Sequence, residues 1–168
     1  MISLLISVVT LLIALALVLA IIYYFYTPNI LAPIARHSSL ILRILFIGAT
    51  LGSFYYSDVL GFTPCLLCWY QRIFIFGIAF LALTADITKN RLLRTQVIFF
   101  ASIGGAIALF HNILNWFPTG ITVCGTSGVS CNILYVNTFG FMTIPLMSLI
   151  TLIAGLLLAL LAKRYPQA

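Results

Sequence analysis

Cys65, Cys68 and Arg72 stand in the stretch PCLLCWYQR, residues 64–72, at the start of an apolar run. Because Pro64 introduces a helix, both thiols fall in or near its first turn, where unpaired N–H groups and the helix dipole favour a thiolate. Cys68 and Arg72 are neighbours on one helix face, and we expect the guanidinium to lower the pKa of that thiol further. An arginine alone would more often anchor a helix at the membrane interface, but beside a Cys-x-x-Cys pair it indicates thiol redox chemistry.

A second cysteine pair, Cys124 and Cys131, encloses six residues in the stretch VCGTSGVSC, with Gly125 and Gly128 between them. A structural disulfide closing so short a loop would contribute only about 2.5 kcal/mol in the chain-entropy treatment. The glycines also make the loop pliable. The alternative is an exchangeable disulfide that another thiolate can attack. The residues alone leave both interpretations open.

The composition is that of a membrane protein. Hydrophobic residues make up 64% of the 168 residues and charged residues 6%, whereas a soluble domain carries roughly 25% charged residues. Several apolar runs reach the ~20 residues that a membrane helix needs, and a membrane β-barrel would show alternating segments of about ten residues instead. The net charge of +6 comes from short basic clusters between apolar runs, which does not indicate nucleic-acid binding. We predict an all-α polytopic membrane protein.

Five spans are predicted, at residues 2–26, 40–60, 69–85, 95–117 and 139–161. The first run is longer than the apolar core of a signal peptide, lacks a basic n-region and shows no clear cleavage site, so we interpret it as a genuine span. The chain then divides into an N-terminal helix with its loop, residues 1–39, and a four-helix unit, residues 40–168.

The basic residues predict the orientation of these spans. With five spans, seven of the eight basic residues lie on one side of the membrane: Arg36, Arg43, Lys89, Arg91, Arg94, Lys163 and Arg164. By the positive-inside rule that side is the cytoplasm, and only Arg72 lies toward the other face. The loops that hold the two cysteine pairs then face outward, where disulfides form and persist.

His111 is a further titratable residue of interest, predicted about 9 Å inside the outward end of the fourth span and at a depth similar to that of Arg72. A single membrane histidine is often only a hydrogen-bond partner between helices, yet ionisable residues inside a membrane frequently have a function. We interpret His37 and Asp58 as solvated or interfacial groups.

The stretch CLLCWYQR resembles the Cys-x-x-Cys-x-Tyr-[Gln/Glu]-Arg signature of the DsbB family of membrane disulfide-bond formation proteins. VCGTSGVSC, followed by GFMTIPLMSL, is similar to the second cysteine pair and last helix of the short, BdbC-like branch. The resemblance covers about residues 40 to 162. It implies a four-helix transmembrane bundle, here with one extra N-terminal helix, in the bacterial cytoplasmic (inner) membrane.

The resemblance also implies an activity. Such a protein reoxidises a soluble DsbA-like thiol oxidase of thioredoxin fold and passes the electrons to a membrane quinone, ubiquinone or menaquinone. By position, Cys124 and Cys131 would form the disulfide that accepts electrons from the partner. The Cys65–Cys68 disulfide would then be reduced by exchange, and Cys68 would present its thiolate to the quinone.

Two further residues acquire roles by the same resemblance. Arg72 would hold the Cys68 thiolate and the quinone oxygen, and His111 matches a polar position near the quinone. Two features depart from the family pattern: the first span has no counterpart, and the second cysteine loop is much shorter than in enterobacterial members.

Two other functions stay open at this stage. Four cysteines in two pairs can hold structural zinc, although the six-residue spacing of the second pair argues against it and we expect no metal. A membrane thiol relay could also run in the reductive direction, but it would need a cysteine on the cytoplasmic side, and the predicted topology places none there.

Overall fold

A computed structural model of the chain describes residues 2–26, 32–117, 131 and 133–165. The helices are α1 (Ile2–Tyr26), α2 (Ala32–Arg36), α3 (Ser38–Phe54), α4 (Leu66–Thr84), α5 (Arg91–Trp116) and α6 (Ile144–Arg164), and a π-helical turn, Tyr55–Val59, continues α3. Among the described residues, five helices are long and apolar enough to cross a membrane, namely α1, α3 with its π-helical turn, α4, α5 and α6. The predicted all-α polytopic architecture is confirmed.

Side chains just before the apolar runs set where two of the spans begin. The Asn90 side-chain oxygen accepts a hydrogen bond from the Leu93 amide at 3.1 Å, and the Thr143 hydroxyl accepts one from the Leu146 amide at 3.4 Å. Each bond satisfies an amide that a helix N-terminus otherwise leaves unpaired. Because of the Asn90 cap, α5 begins four residues earlier than the sequence predicted.

The start of α6 differs from the prediction, because the helix begins five residues later than expected. The residues before it form a tight turn in which Thr138 and Met142 exchange backbone hydrogen bonds of 3.0 and 2.9 Å. Phe139 and Gly140 adopt positive φ angles of 59° and 80° there, which a right-handed helix does not contain. The apolar composition of this turn is indistinguishable from that of a membrane span, so hydropathy placed the helix start too early.

Helices α3, α4, α5 and α6 form a four-helix bundle in which each packs against the next and α6 closes the ring on α3. Two glycines allow the closest approaches. A Cβ atom at Gly155 of α6 would lie 2.6 Å from the Phe46 ring of α3, and one at Gly104 of α5 would lie 2.8 Å from the Cβ of Phe74 in α4. Small residues at such contacts are typical of membrane helices, which associate through close packing.

Two arginines join the helices at the end of the bundle where α4 ends and α5 begins. Arg94 is buried, and its guanidinium donates to the carbonyl oxygens of Ile87 at 3.1 Å and Ala162 at 2.9 Å. Arg43 of α3 donates to the carbonyl of Ala82 at 2.7 Å. Cations are favourable at helix C-termini, where carbonyls lack partners, so these residues stabilise the ends of α4 and α6.

Helix α1 lies outside the ring and packs mainly against α6. Its buried side chains are polar: Ser7 donates to the Thr138 hydroxyl at 3.0 Å, and Thr10 donates to the carbonyl of Ile6. Most other α1 side chains are exposed and apolar, as a lipid-facing surface requires. The hydrogen bond to Thr138 ties the start of α1 to the turn before α6.

Candidate active site

Cysteine and histidine side chains converge at one end of the bundle, where α4 and α6 begin and α5 ends. Cys65, His111 and Cys131 are buried, and Cys68 is partly buried. Cys124 lies outside the described residues, so its predicted pairing with Cys131 stays a prediction. The sequence indicated each of these side chains separately, and the fold brings three of them into one cluster.

Cys65 is the N-cap residue of α4, with extended backbone angles of φ −71° and ψ 172°. The helix therefore begins where Pro64 predicted. The Cys65 sulfur accepts a hydrogen bond from the Cys68 amide at 3.4 Å and lies 2.9 Å from the Cys68 sulfur. Both cysteines are free thiols in this structure, which shows the pair in its reduced form. The predicted Cys65–Cys68 disulfide applies to the oxidised form and stays a prediction.

The hydrogen bonds of this dithiol favour a thiolate at Cys65. The bond from the Cys68 thiol lowers the pKa of Cys65 well below its usual range, while burial acts in the opposite direction and His111 and the Cys68 amide lower it further. The role that the sequence predicted for the Cys68 thiolate, beside Arg72, stays a prediction.

His111 connects the two cysteine regions. Its Nε2 atom lies 4.0 Å from the Cys65 sulfur and 3.0 Å from the carbonyl oxygen of Cys131. Cys131 is disulfide-bonded, and its sulfur lies within 4.8 Å of both the Cys65 sulfur and a His111 ring nitrogen. The structure therefore places a free thiol next to a disulfide, with an imidazole beside both.

The same three residues could be considered as metal ligands, since their ligand atoms are mutually within 4.8 Å. A metal-binding cysteine must be a thiolate, however, and the Cys131 sulfur is committed to a disulfide. Among the described residues, Cys65, His111 and the adjacent Cys68 thiol remain, one fewer than the four ligands of a structural zinc site. In this state the cluster fits thiol–disulfide exchange and not zinc.

Two residues that the sequence did not single out position His111. The Gln71 side-chain amide lies 2.9 Å from Nδ1 of His111, and the Ser148 hydroxyl of α6 donates to Oε1 of Gln71. The Cys131 carbonyl can only accept a hydrogen bond, so Nε2 of His111 is the donor, and Nδ1 of the neutral ring accepts from the Gln71 amide nitrogen. The imidazole proton then resides on Nε2, which points toward Cys131 and Cys65. The one sequence signal for a role of Gln71 is its place in the CLLCWYQR motif, directly before Arg72.

Arg72 lies one turn below Cys68 on α4. Its guanidinium donates to the carbonyl of Ser53 at 3.0 Å and lies 5.3 Å from the centre of the Trp69 ring. The π-helical turn of α3 begins two residues after Ser53, and such widened turns frequently occur at functional sites. Arg72 is thus held on α3 and α4 rather than extended away from the bundle.

A cavity of about 630 Å³ opens beside these residues, within the range of small-molecule sites. Its polar lining includes Cys65, Cys68, Gln71, Arg72 and His111. The rest of the lining is mostly apolar and comes chiefly from α1, α3, α6 and residues 62–64 and 133–136. A polar cluster at one end of an apolar cavity suits a ligand with a polar head and an apolar body.

His37 and Asp58 lie away from this cluster. His37 is exposed, and its Nδ1 atom contacts the carbonyl of Pro33 at 3.1 Å. Asp58 is exposed and accepts a hydrogen bond from Ser57 at 2.6 Å. Their predicted interpretation as surface groups agrees with this exposure.

Comparison with known proteins identifies the family. The family model described as disulfide bond formation protein DsbB matches residues 35–162. The chain belongs to the DsbB family. The match contains the whole cluster around Cys65, His111 and Cys131, and it excludes α1. Membership makes this a multi-pass membrane protein with a role in disulfide bond formation, which implies oxidoreductase activity.

Several relatives support this assignment. The SPbeta prophage-derived disulfide bond formation protein B of Bacillus subtilis is 38% identical over 126 residues, which cover 74% of this chain and 85% of that protein. Disulfide bond formation protein C of the same organism is 38% identical over 117 residues, covering 68% and 84%. A probable disulfide formation protein C 1 of Bacillus anthracis is 40% identical over 105 residues, covering 61% and 74%. No solved structure matches the chain.

Proposed function

We propose that this DsbB-family protein is a protein-dithiol:quinone oxidoreductase that reoxidises an extracytoplasmic thiol oxidase of thioredoxin fold. One observation carries the proposal: the free Cys65 thiol lies within 4.8 Å of the disulfide-bonded Cys131 sulfur, beside a cavity that Cys68 and Arg72 line. A disulfide thus lies next to a dithiol, and the dithiol lies next to a ligand-sized cavity.

The orientation follows from charge. The cysteine cluster lies where α4 and α6 begin, and the basic residues Lys89, Arg91, Arg94, Lys163 and Arg164 lie at or near the opposite ends of the helices. Basic residues mark the cytoplasmic side of membrane proteins. The cysteines accordingly face the periplasm or the cell exterior, where a soluble partner can reach them and disulfides persist.

Electrons enter through the second cysteine pair. A partner dithiol reduces the Cys124–Cys131 disulfide. The Cys131 thiolate then attacks the Cys65 sulfur of the oxidised pair, so that a Cys65–Cys131 bond forms and the Cys65–Cys68 bond breaks, releasing Cys68 as a thiolate. Attack of Cys124 on Cys131 restores the loop disulfide and releases Cys65. The two electrons of the partner then reside on Cys65 and Cys68.

His111 assists this exchange as a hydrogen-bond donor. With Gln71 donating to Nδ1, the proton on Nε2 faces the Cys65 sulfur at 4.0 Å and the Cys131 carbonyl at 3.0 Å. A donor at this position stabilises the negative charge that develops on Cys65 when it leaves. Ser148 and Gln71 keep the ring in the orientation that this requires.

Electrons leave through the cavity. A bound quinone, ubiquinone or menaquinone, would take two electrons and two protons from the Cys65/Cys68 dithiol, which re-forms the disulfide. Cys68 and Arg72 both line the cavity, and a guanidinium there stabilises negative charge on sulfur or on a ligand oxygen. The apolar lining excludes water, which strengthens that interaction.

The test is anaerobic turnover by the purified protein in lipid nanodiscs with a reduced thioredoxin-fold protein and a quinone. We expect one quinol per partner disulfide formed, no turnover without quinone, and loss of turnover in Cys68→Ser. Thr84→Ser, a small change near the other end of α4, serves as the control and should keep full turnover. Partner oxidation without quinol formation, or full turnover by Cys68→Ser, would contradict the proposal.

A further inference from the structure

The cavity extends far beyond the cysteines, along the faces of α1 and α3. Its lining on α3 runs from Ser53, the carbonyl partner of Arg72, to Ile41. That interval is twelve residues, or about 18 Å along the helix axis at 1.5 Å per residue. A cavity that served only a quinone ring beside Cys68 would not need this length.

The middle of the α3 wall of the cavity is made of small residues. Gly48, Ala49 and Gly52 line it, and a Cβ atom built at Gly48 or Gly52 would meet no other atom within 4 Å. These glycines therefore differ from Gly104 and Gly155, where an added Cβ would collide with a neighbouring helix. Gly48 and Gly52 leave space beside α3 that no described side chain fills.

The opposite wall is α1, the helix that the family match does not include. Ile6, Thr10 and Ile13 line the cavity and lie on one face of α1, with spacings of four and three residues. The neighbouring Leu12 points away and is 59% exposed. Because α1 packs mainly against α6, the space between α1 and α3 stays open along their length.

We propose that α1 and the small-residue face of α3 form a binding groove for the isoprenoid tail of the quinone. The inference rests on the proposed function and assigns a task to the extra helix. The ring lies beside Cys68 and Arg72, and the tail runs along Gly52 and Gly48 against α1. The groove makes the protein selective for long-tailed quinones.

The test compares a long-tailed quinone with a tail-less one of the same ring. Gly48→Leu should fill the groove and lower kcat/KM for the long-tailed quinone by about tenfold or more, because several tail methylenes lose their buried contacts. For the tail-less quinone the change should stay within about twofold, since the ring site is untouched. Gly105→Leu is the matched control: this α5 glycine also has free space around its Cβ position but lies outside the cavity lining.

A second pair of variants tests the α1 wall, and the thermal unfolding midpoint provides a second readout that does not depend on turnover. Ile13→Trp should reproduce the effect of Gly48→Leu, whereas the adjacent, lipid-facing Leu12→Trp should not. The long-tailed quinone should raise the thermal unfolding midpoint of the wild-type protein more than the tail-less quinone does, and Gly48→Leu and Ile13→Trp should remove that difference.

The outcomes separate this inference from the proposed function. If wild-type protein reduces both quinones but shows no preference for the tail, or if Gly48→Leu behaves as Gly105→Leu does, the groove holds a lipid chain and the inference is wrong while the function stands. If the wild-type protein reduces neither quinone, both proposals are overturned.

Discussion

Arg94 and Arg72 are both arginines near the ends of membrane helices, and their surroundings differ. Arg94 is 9% exposed, and its guanidinium donates to the carbonyls of Ile87, Ala162 and, at 3.5 Å, Thr88. Arg72 donates to one described carbonyl, that of Ser53, and otherwise lies near an aromatic ring and a cavity.

The difference supports our proposal that Arg94 is a structural cation and Arg72 a functional one. A guanidinium has five N–H donors, and three backbone carbonyls from two segments engage those of Arg94. Arg72 keeps N–H donors that no carbonyl of the described residues uses, next to Cys68. An arginine inside a membrane helix is therefore no evidence of a site by itself. Whether such an arginine is functional depends on how many of its N–H donors the backbone leaves unused and on which groups lie beside it.

The largest expected effect on stability is at Arg94. Arg94→Met should lower the free energy of unfolding by about 3 kcal/mol, because the carbonyls of Ile87 and Ala162 would stay buried without a donor. The measurement is the unfolding midpoint in mixed micelles, together with turnover per folded molecule, which should not change. A loss of quinone affinity in this variant would break the distinction between the two arginines.

Arg72→Met should give the reverse pattern. We expect the apparent KM for quinone to rise about tenfold, equivalent to about 1.4 kcal/mol, with less than about 1 kcal/mol change in unfolding. Quinone titration at saturating partner measures the first, and the unfolding midpoint measures the second. An unchanged KM with reduced stability would show that Arg72, like Arg94, has a structural role, and would contradict our assignment.

Gln71→Leu should have a smaller effect that appears in the exchange step. Without the amide donor, the His111 ring loses its fixed orientation, and the rate of electron transfer from partner to Cys65 should fall about threefold to tenfold. The fall in the exchange rate should exceed any rise in the quinone KM, which distinguishes this variant from Arg72→Met. Ser102→Ala is the control, because it removes a hydroxyl whose one hydrogen-bond partner among the described residues is the Ile98 carbonyl of the same helix.

The smallest predicted effect is a pH dependence. The pKa of Cys65 is lowered in the folded protein, chiefly by the bond from Cys68. The linked stability is therefore fully present above the thiol's unfolded pKa of about 8.5 and is lost as pH falls through the lower folded pKa. Alkylation of Cys65 should stay rapid below pH 8.5, and Cys68→Ala should move its midpoint upward. A Cys65 midpoint that Cys68→Ala leaves unmoved would contradict the assigned cause.

Much of the fold and part of the site could be predicted from the sequence. Hydropathy located the five spans, and Pro64 placed Cys65 and Cys68 at the start of α4. The late start of α6 was missed because the turn at Phe139 and Gly140 is as apolar as a span.

The contacts between helices could not be predicted. Whether His111 faces Cys65, Gln71 or lipid depends on the rotation of α5 about its axis, which a single sequence does not fix. Arg94 and Arg72 cannot be distinguished from the sequence either, because their carbonyl partners lie on other segments of the chain.

The contact between Cys65 and Cys131 is the central claim, and cysteine trapping tests it most directly. In the Cys68→Ser/Cys124→Ser protein, mild oxidation should join Cys65 to Cys131 within one chain, detected by mass spectrometry of the linked peptides. The Cys65→Ser/Cys124→Ser protein should form the corresponding Cys68–Cys131 link much more slowly. Equal or faster formation of the Cys68–Cys131 link would contradict a relay that passes from Cys131 to Cys65.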